Sequence, residues 1–282
     1  MKKWLTAIVT LVFVLVLAAC GGGTEESKND SAADSKDDMK KIVIGASNVP
    51  HAEILEQAKP ILEEKGIELQ IETFQDYVLP NQALDSGDLD ANYFQHIPYF
   101  EQQIKENGYK FANAGGIHIE PIGIYSKKYK SLKDLPENAK VIISNSVADH
   151  GRVLSLLEKE GLIKLKEGID KTAATLDDIV ENPRNLEFDT EYAAELLPQI
   201  FNNNEGDIVL INSNFAIDAG LNPLKDSIAI EDSKSPYVNI IAVRKGDENK
   251  EEIKTLVEVL RSKEIQDFIL KQYDGAVVPV SE

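Results

Sequence analysis

The chain has 282 residues and carries 48 acidic against 30 basic side chains, which gives a formal net charge of −18 at pH 7. Such an excess of negative charge repels nucleic acid and anionic lipid, and it excludes both as expected partners. The sequence has a single cysteine, so it cannot form an intramolecular disulfide and its stability has to come from buried apolar surface.

The first twenty residues have the pattern of a lipoprotein signal. Lys2 and Lys3 precede a largely apolar run over 5–17, which is shorter than the roughly 20 residues that span a bilayer. Two alanines stand directly before Cys20 and form a lipobox, which predicts cleavage before Cys20 and acylation of its thiol with diacylglycerol. An ordinary signal peptide with an incidental cysteine is the alternative. Cleavage would remove two lysines and no acids, so the net charge would change from −18 to −20.

Composition divides the chain into three parts. Residues 1–19 are the predicted signal peptide. Residues 20–39 are predicted to be a lipidated flexible tether, because 21–38 hold no large apolar residue that could form a core. Residues 40–282 are the predicted solute-binding domain. No second apolar stretch approaches the length of a membrane span, so we expect the lipid to be the only anchor.

Predicted strands and helices alternate from residue 41 onward. The strands cover 41–46, 67–74, 90–94, 111–114, 121–125, 141–144, 207–211 and 238–243, and the helices cover 51–65, about 81–84, 97–107, 150–160, 191–201 and 251–270. This alternation predicts α/β layers with mostly parallel sheets. In open α/β sheets ligands bind at the carboxyl ends of the strands, so we expect two lobes with a ligand cleft between them.

Aromatic side chains cluster at the ends of the predicted strands 67–74 and 90–94. They are Phe74, Tyr77, Tyr93, Phe94 and, with its imidazole ring, His96. Aromatic faces suit a thioether group, because each sulfur–ring contact contributes about 0.3–1.5 kcal/mol. Aromatic residues in such runs more often pack in the core, so a pocket wall and a core position are both open interpretations.

Arg152 is the candidate for binding an anion. The segment 141–152 predicts a strand, a loop and a helix start, with Asp149 as the N-cap and Arg152 in the first helical turn. A helix N-terminus disfavours cations, so an arginine there indicates an anion nearby, and a guanidinium matches a carboxylate in a two-pronged fork. A surface pairing with Asp149 or Glu120 is the alternative.

Two asparagines at the ends of predicted strands, Asn212 and Asn239, could complete a site for an amino acid, because an amide both accepts and donates hydrogen bonds. The commoner role of such asparagines is a turn or a cap. The four histidines at positions 51, 96, 118 and 150 lack the spacing of a zinc site, so no metal or cofactor is expected. His118 and Glu120 would share a strand face, but no nucleophile or phosphate-binding motif accompanies them, so the chain is not expected to be an enzyme.

Together these segments resemble the NlpA/MetQ family of methionine-binding lipoproteins, which are substrate receptors of methionine ABC importers. The resemblance covers about 42–280. It rests on the strings PHAEIL (50–55), DANYFQHIPY (90–99), HIEP (118–121), IYSKKYKSL (124–132), GR (151–152), SPYVN (235–239) and GAVVP (275–279).

The resemblance implies a type II periplasmic-binding-protein fold with two crossover strands. Lobe 1 would comprise about 40–120 plus 240–282, and lobe 2 about 121–239. It also implies a ligand site. Arg152 would bind the α-carboxylate, Asn212 and Asn239 would complete the contacts with the amino-acid backbone, and His118 near the crossover would face the ligand. The residues around the methionine side chain would be Phe74, Tyr77, Tyr93, Phe94 and His96. We therefore expect a lipid-anchored receptor on the extracytoplasmic face of the cell membrane that delivers L-methionine to an ABC permease and its ATPase.

Asp149 departs from the family pattern, in which many members have asparagine. Its carboxylate could pair with the ligand ammonium, cap the helix or hold Arg152 when the cleft is empty. The alternatives to an L-methionine receptor are a receptor for D-methionine or a methionine-containing dipeptide, a surface adhesion lipoprotein, and an amino-acid-modifying enzyme.

Overall fold

The computed structural model describes residues 39–280. The predicted signal peptide, Cys20 and nearly all of the predicted tether lie outside the described residues. The described part begins with a buried strand at Lys40–Ser47, where the sequence predicts one over 41–46. No helix within 39–280 is both long and apolar enough to cross a membrane.

Strands and helices alternate through most of the described chain. The strands are β1 (Lys40–Ser47), β2 (Ile67–Phe74), β3 (Ala91–His96), β4 (Phe111–Ile119), β5 (Gly123–Tyr125), β6 (Lys140–Ser144), β7 (Lys164–Leu165), β8 (Ile179–Glu181), β9 (Glu187–Tyr192), β10 (Ile208–Ile211), β11 (Ala229–Ile230), β12 (Val238–Arg244) and β13 (Val278–Pro279). The helices are α1 (Glu53–Glu64), α2 (Leu79–Ser86), α3 (Ile97–Asn107), α4 (Val147–Lys159), α5 (Leu197–Asn202), α6 (Ser213–Asp218), α7 (Pro223–Asp226), α8 (Glu251–Leu260) and α9 (Lys263–Tyr273).

The strands form two larger sheets and one small ribbon. The first sheet has the order β13-β4-β12-β3-β1-β2, the second has the order β11-β5-β10-β6-β9, and β7 pairs with β8 alone. The α/β class is confirmed, but the prediction of mostly parallel sheets is wrong. In the first sheet β12 pairs antiparallel with both β3 and β4, and in the second β5 pairs antiparallel with both β10 and β11.

Each large sheet has its own apolar core. In the first, Ile54, Leu55, Ala58 and Leu62 of α1 are fully buried, and this helix packs beside α8 and α9 on the sheet. Their spacing along the sequence forms one stripe of the helix, as the apolar pattern predicts. In the second, α4 packs its apolar residues against β6 and β10. These cores fix the positions at which the strands end.

Two predicted helices differ from the structure. The predicted helix over 191–201 is wrong at its start, because Glu191 and Tyr192 end the edge strand β9 beside β6; a 3-10 turn follows at Ala194–Leu196, and α5 starts at Leu197 with Pro198 in its first turn. The predicted helix over 251–270 is two helices. Ser262 interrupts it and caps α9 by accepting a hydrogen bond from the Ile265 N–H at 3.4 Å.

Candidate ligand-binding site

A cavity lies where strands of both sheets end. Its walls come from the segments that follow β2, β3, β4, β6 and β10, together with the start of β12. The lining residues are Tyr77, Phe94, Gln95, His96, Tyr99, Glu120, Asp149, Arg152, Asn212, Ser213, Asn214 and Asn239. The site therefore lies at the strand ends, where ligands of α/β proteins bind.

Six of the nine predicted ligand-binding residues line this cavity: Tyr77, Phe94, His96, Arg152, Asn212 and Asn239. The other three lie elsewhere. Phe74 packs against the cluster that contains Leu84 and Leu89. Tyr93 and His118 are completely buried behind the wall, where the Tyr93 hydroxyl is hydrogen-bonded to Nδ1 of His118.

Six further lining residues were not among the nine predicted ones, although a ligand contact was one of the roles left open for Asp149; they are Gln95, Tyr99, Glu120, Asp149, Ser213 and Asn214. Two features of the sequence point to Gln95 and Tyr99. Gln95 and Tyr99 stand in the string DANYFQHIPY, and Tyr99 follows His96 by the three residues that bring side chains together at a helix start. His96 is the N-cap of α3 and accepts at Nδ1 from the Tyr99 N–H at 3.1 Å.

Aromatic rings form one end of the cavity. The ring of Tyr77 lies 4.9 Å from that of Phe215, 5.9 Å from that of Tyr99 and 6.0 Å from that of Phe94, measured between centroids. The Tyr77 hydroxyl donates to Oδ1 of Asn214 at 2.7 Å, and the Tyr99 hydroxyl donates to the Tyr77 carbonyl at 2.8 Å. Because both hydroxyls are engaged, this end presents mainly ring surface.

Arg152 lies at the opposite, polar end, and its place on α4 differs from the prediction. Ser146 is the N-cap, so Asp149 lies inside the first turn and Arg152 in the second; the prediction of Asp149 as N-cap is wrong. The backbone of α4 approaches the turn at 171–173 closely, and a Cβ on Gly151 would lie 2.4 Å from the Lys171 carbonyl oxygen. Only glycine permits this approach next to the arginine.

The guanidinium of Arg152 is buried among acceptors. Its Nε donates to Oε2 of Glu231 at 3.1 Å, with a second bond from Nη2 to the same oxygen, and Nη2 also donates to the Glu120 carbonyl at 2.7 Å. The group lies over the ring of Tyr237, 4.6 Å from its centroid. Burial alone would lower the arginine pKa, but the charges of Glu231 and Asp149 outweigh it and raise the pKa.

Asp149 joins side chains from both sheets. Its Oδ1 lies 3.0 Å from Nε2 of His96 and 3.8 Å from Nη1 of Arg152, and its Oδ2 accepts from Nδ2 of Asn212 at 3.2 Å. Burial would raise the carboxyl pKa, but the hydrogen bond and charge of His96, with the charge of Arg152, lower the pKa to about 2. The amide oxygen of Asn212 is buried and has no hydrogen-bond partner in the part of the chain that the structure describes.

Behind the cavity, His51, His118 and Glu120 meet in a buried cluster whose possible metal-ligating atoms lie within 4.8 Å of one another. Sequence spacing does not reveal this cluster, since His51 comes from a different segment of the first sheet. Nε2 of His118 lies 2.7 Å and Nε2 of His51 3.2 Å from Oε1 of Glu120. Nε2 of His118 is hydrogen-bonded to this carboxylate and Nε2 of His51 to Oδ1 of Asn239, so both nitrogens have protein partners, which suits a structural network better than a metal centre.

The arrangement defines a class of protein. Two β-sheets packed with helices are joined where the chain leaves the first sheet after β4 and returns to it at β12, and a ligand cavity lies between their strand ends. The family model for NlpA lipoprotein matches residues 42–281, and the chain belongs to this family. It is 53% identical over 284 residues to the methionine-binding lipoprotein MetQ of Bacillus subtilis, which covers 100% of both chains. It is 39% identical to the D-methionine-binding lipoprotein MetQ of Salmonella typhi over 98% of this chain and 97% of the relative.

A solved structure shares the fold. The nutrient-binding protein of Burkholderia cenocepacia bound to methionine has a TM-score of 0.79 and 44% identity, over 84% of this chain and 99% of that one. The resemblance to this family and the periplasmic-binding-protein-like fold class are thereby confirmed. The family membership also confirms that the protein is a binding lipoprotein and not an enzyme.

Proposed function

We propose that the protein captures L-methionine in this cavity and delivers it to a membrane ABC importer made of a permease and an ATPase. Lipid on Cys20 would hold it at the extracytoplasmic face of the cell membrane. The observation that carries the proposal is the unpartnered amide oxygen of Asn212, which is buried beside Asp149 and lines the cavity close to Arg152. A buried acceptor without a partner costs about 1–3 kcal/mol, so a ligand that donates a hydrogen bond there is favoured.

The polar end offers complementary groups for both charges of an α-amino acid. Oδ1 of Asn212 and the carboxylate of Asp149 are acceptors for an ammonium group. Glu231 binds Nε and Nη2 of Arg152. The third guanidinium nitrogen, Nη1, lies 3.8 Å from Oδ1 of Asp149. It is the donor for the ligand carboxylate, with the amide of Asn239 beside it.

The aromatic end supports an uncharged, polarizable side chain. Tyr77, Phe94 and Tyr99 provide ring surface, and sulfur–ring contacts of about 0.3–1.5 kcal/mol each favour a thioether over a hydrocarbon of equal length. A charged side chain would be buried there without a partner. Methionine combines the thioether with the zwitterionic backbone that the polar end requires.

D-methionine is the second candidate, because a relative with 39% identity is named for binding it. The two enantiomers place the side chain differently once ammonium and carboxylate are held. A methionine-containing dipeptide is the further alternative, and it would need additional room, which a groove lined by Arg152, Glu231 and Tyr237 could supply.

Three measurements test the proposal. Mass spectrometry of the gently purified lipoprotein should detect carried-over methionine, and calorimetric titration of ligand-stripped protein should rank L-methionine, D-methionine and methionyl dipeptides. Cells without the gene should take up labelled methionine more slowly than the parent strain. The absence of methionine binding in titrations of folded protein would refute the binding function, and unchanged uptake would refute the delivery function alone.

A further inference from the structure

His51 lies outside the cavity but touches two residues that line it. The imidazole is 1% exposed and comes from the turn before α1. Its Nε2 lies 3.1 Å from Oδ1 of Asn239 and 3.2 Å from Oε1 of Glu120. Asn239 stands at the start of β12 and Glu120 just after β4, so the imidazole contacts both crossing strands.

The position of Glu120 determines which nitrogen of His51 carries the proton. Oε1 of Glu120 accepts from Nε2 of His118 at 2.7 Å, while Nδ1 of His118 is engaged by the Tyr93 hydroxyl. The same oxygen lies 3.2 Å from Nε2 of His51, where an unprotonated nitrogen would place two lone pairs against each other, so Nε2 is the nitrogen that carries the proton and donates it to Oδ1 of Asn239. Burial, the largest effect, lowers the pKa of His51 to about 4, which agrees with a neutral ring.

A protonated Nε2 in turn determines the orientation of the Asn239 amide. If the amide were rotated by a half turn, its N–H2 group would face the N–H of His51, and two donors would oppose each other. The oxygen of Asn239 therefore faces His51, and its N–H2 group is left for the cavity, which Asn239 lines.

We propose that His51 is a positioning residue that keeps the amide N–H2 group of Asn239 turned toward the carboxylate of the bound ligand. The proposal rests on the amino-acid-binding function proposed above. It assigns to His51 a role in selecting ligands with a carboxylate, although the imidazole does not touch the ligand. Without the imidazole the amide can turn its oxygen to the cavity, where it would repel a carboxylate.

The test compares His51→Leu with His51→Gln, which keeps an N–H donor at a similar reach. The ligands are L-methionine and L-methioninol, in which a hydroxymethyl group replaces the carboxylate. His51→Leu should weaken L-methionine binding by about 5- to 150-fold, the equivalent of one unsatisfied buried hydrogen bond, and leave methioninol binding nearly unchanged. His51→Gln should restore the preference for L-methionine.

Two controls separate positioning from general damage to the fold. His150 is another buried histidine; it is bonded through Nε2 to the Ser144 carbonyl at 3.0 Å and does not itself line the cavity. His150→Leu should leave the ratio of the two affinities unchanged. In an Asn239→Ala background, His51→Leu should cause no further loss of L-methionine affinity, because the two residues act as one unit.

A third measurement needs no variant. The imidazole ¹⁵N spectrum of the wild-type protein at pH 7 should show His51 as a neutral ring protonated at Nε2. A ring protonated at Nδ1, or an unchanged affinity ratio in folded His51→Leu with wild-type L-methionine binding, overturns the positioning role alone. A wild-type protein that binds no methionine refutes the proposed function itself, and the positioning role with it.

Discussion

Mild acid should destabilise this protein through two buried histidines before it affects most of the carboxylates. His51 and His118 are almost inaccessible to solvent, and burial lowers their pKa values from 6.5 to about 4 and about 3. In the unfolded chain both rings become protonated below about pH 6.5. The unfolded state then binds more protons than the folded state, so the free energy of unfolding falls as the pH falls.

The size of the effect at pH 5 follows from these values. At pH 5 each ring is 1.5 pH units below the ordinary pKa of 6.5 and still above its folded pKa. At about 1.4 kcal/mol per pH unit, each histidine loses about 2 kcal/mol of stabilisation. Burial raises the pKa of Glu120, which favours the folded state as the pH falls, so the net loss is smaller than the sum of about 4 kcal/mol.

Urea unfolding of the ligand-free protein at pH 7 and pH 5 measures this loss, and His118→Gln isolates one contribution. The variant removes one titrating ring, so its loss between the two pH values should be smaller than that of the wild type by about 2 kcal/mol. Asp149, with its pKa of about 2, adds a further loss only as the pH falls below about 4. Equal losses in variant and wild type would show that His118 is not held neutral in the fold.

Three further predictions concern the site and the anchor. Arg152→Met should lower methionine affinity by about 30-fold to several thousand-fold, because loss of one partner of a buried charge pair costs about 2–5 kcal/mol. Calorimetry that finds wild-type affinity in the folded variant would show that Arg152 does not belong to the site. Competition titrations should place norleucine between methionine and the charged amino acids glutamate and lysine; displacement by glutamate or lysine as strong as that by norleucine would contradict the aromatic wall of Tyr77 and Phe94. Cys20→Ala should leave uncut precursor or a shed soluble form, and detergent-phase partitioning equal to that of the wild type would contradict lipidation.

Much of the fold was predictable because its signals are local. β2 and α3 have the bounds that the sequence predicts, 67–74 and 97–107, and Gly108 ends α3 in the left-handed conformation with φ of 71°. β9 was not predictable from its own residues. Glu187–Tyr192 forms a strand by pairing with β6, which is distant in sequence, so the segment itself does not show its partner.

The site was predictable where strand ends carry distinctive side chains, as at Phe94 and His96. All six residues of β3 are buried, so no alternation of polar and apolar residues shows which face meets the cavity. Tyr93 consequently appears equivalent to Phe94 in the sequence, although its ring lies edge-on against His51 behind the wall. Glu231 carries no local signal either, because its contact with Arg152 joins residues 79 positions apart.

The contacts of the Asp149 carboxylate bear on the three roles that the sequence left open: helix cap, partner of Arg152 and partner of a ligand ammonium. It is not the N-cap of α4, because Ser146 occupies that position; instead it accepts from Asn212 and pairs with His96. An ionised carboxylate can only accept, so the Asn212 amide must present its N–H2 group to Asp149 and keep its oxygen for the cavity. An asparagine at position 149 could donate as well as accept and would not impose this orientation. We therefore expect the acid to favour ligands that bring an ammonium group over plain carboxylic acids.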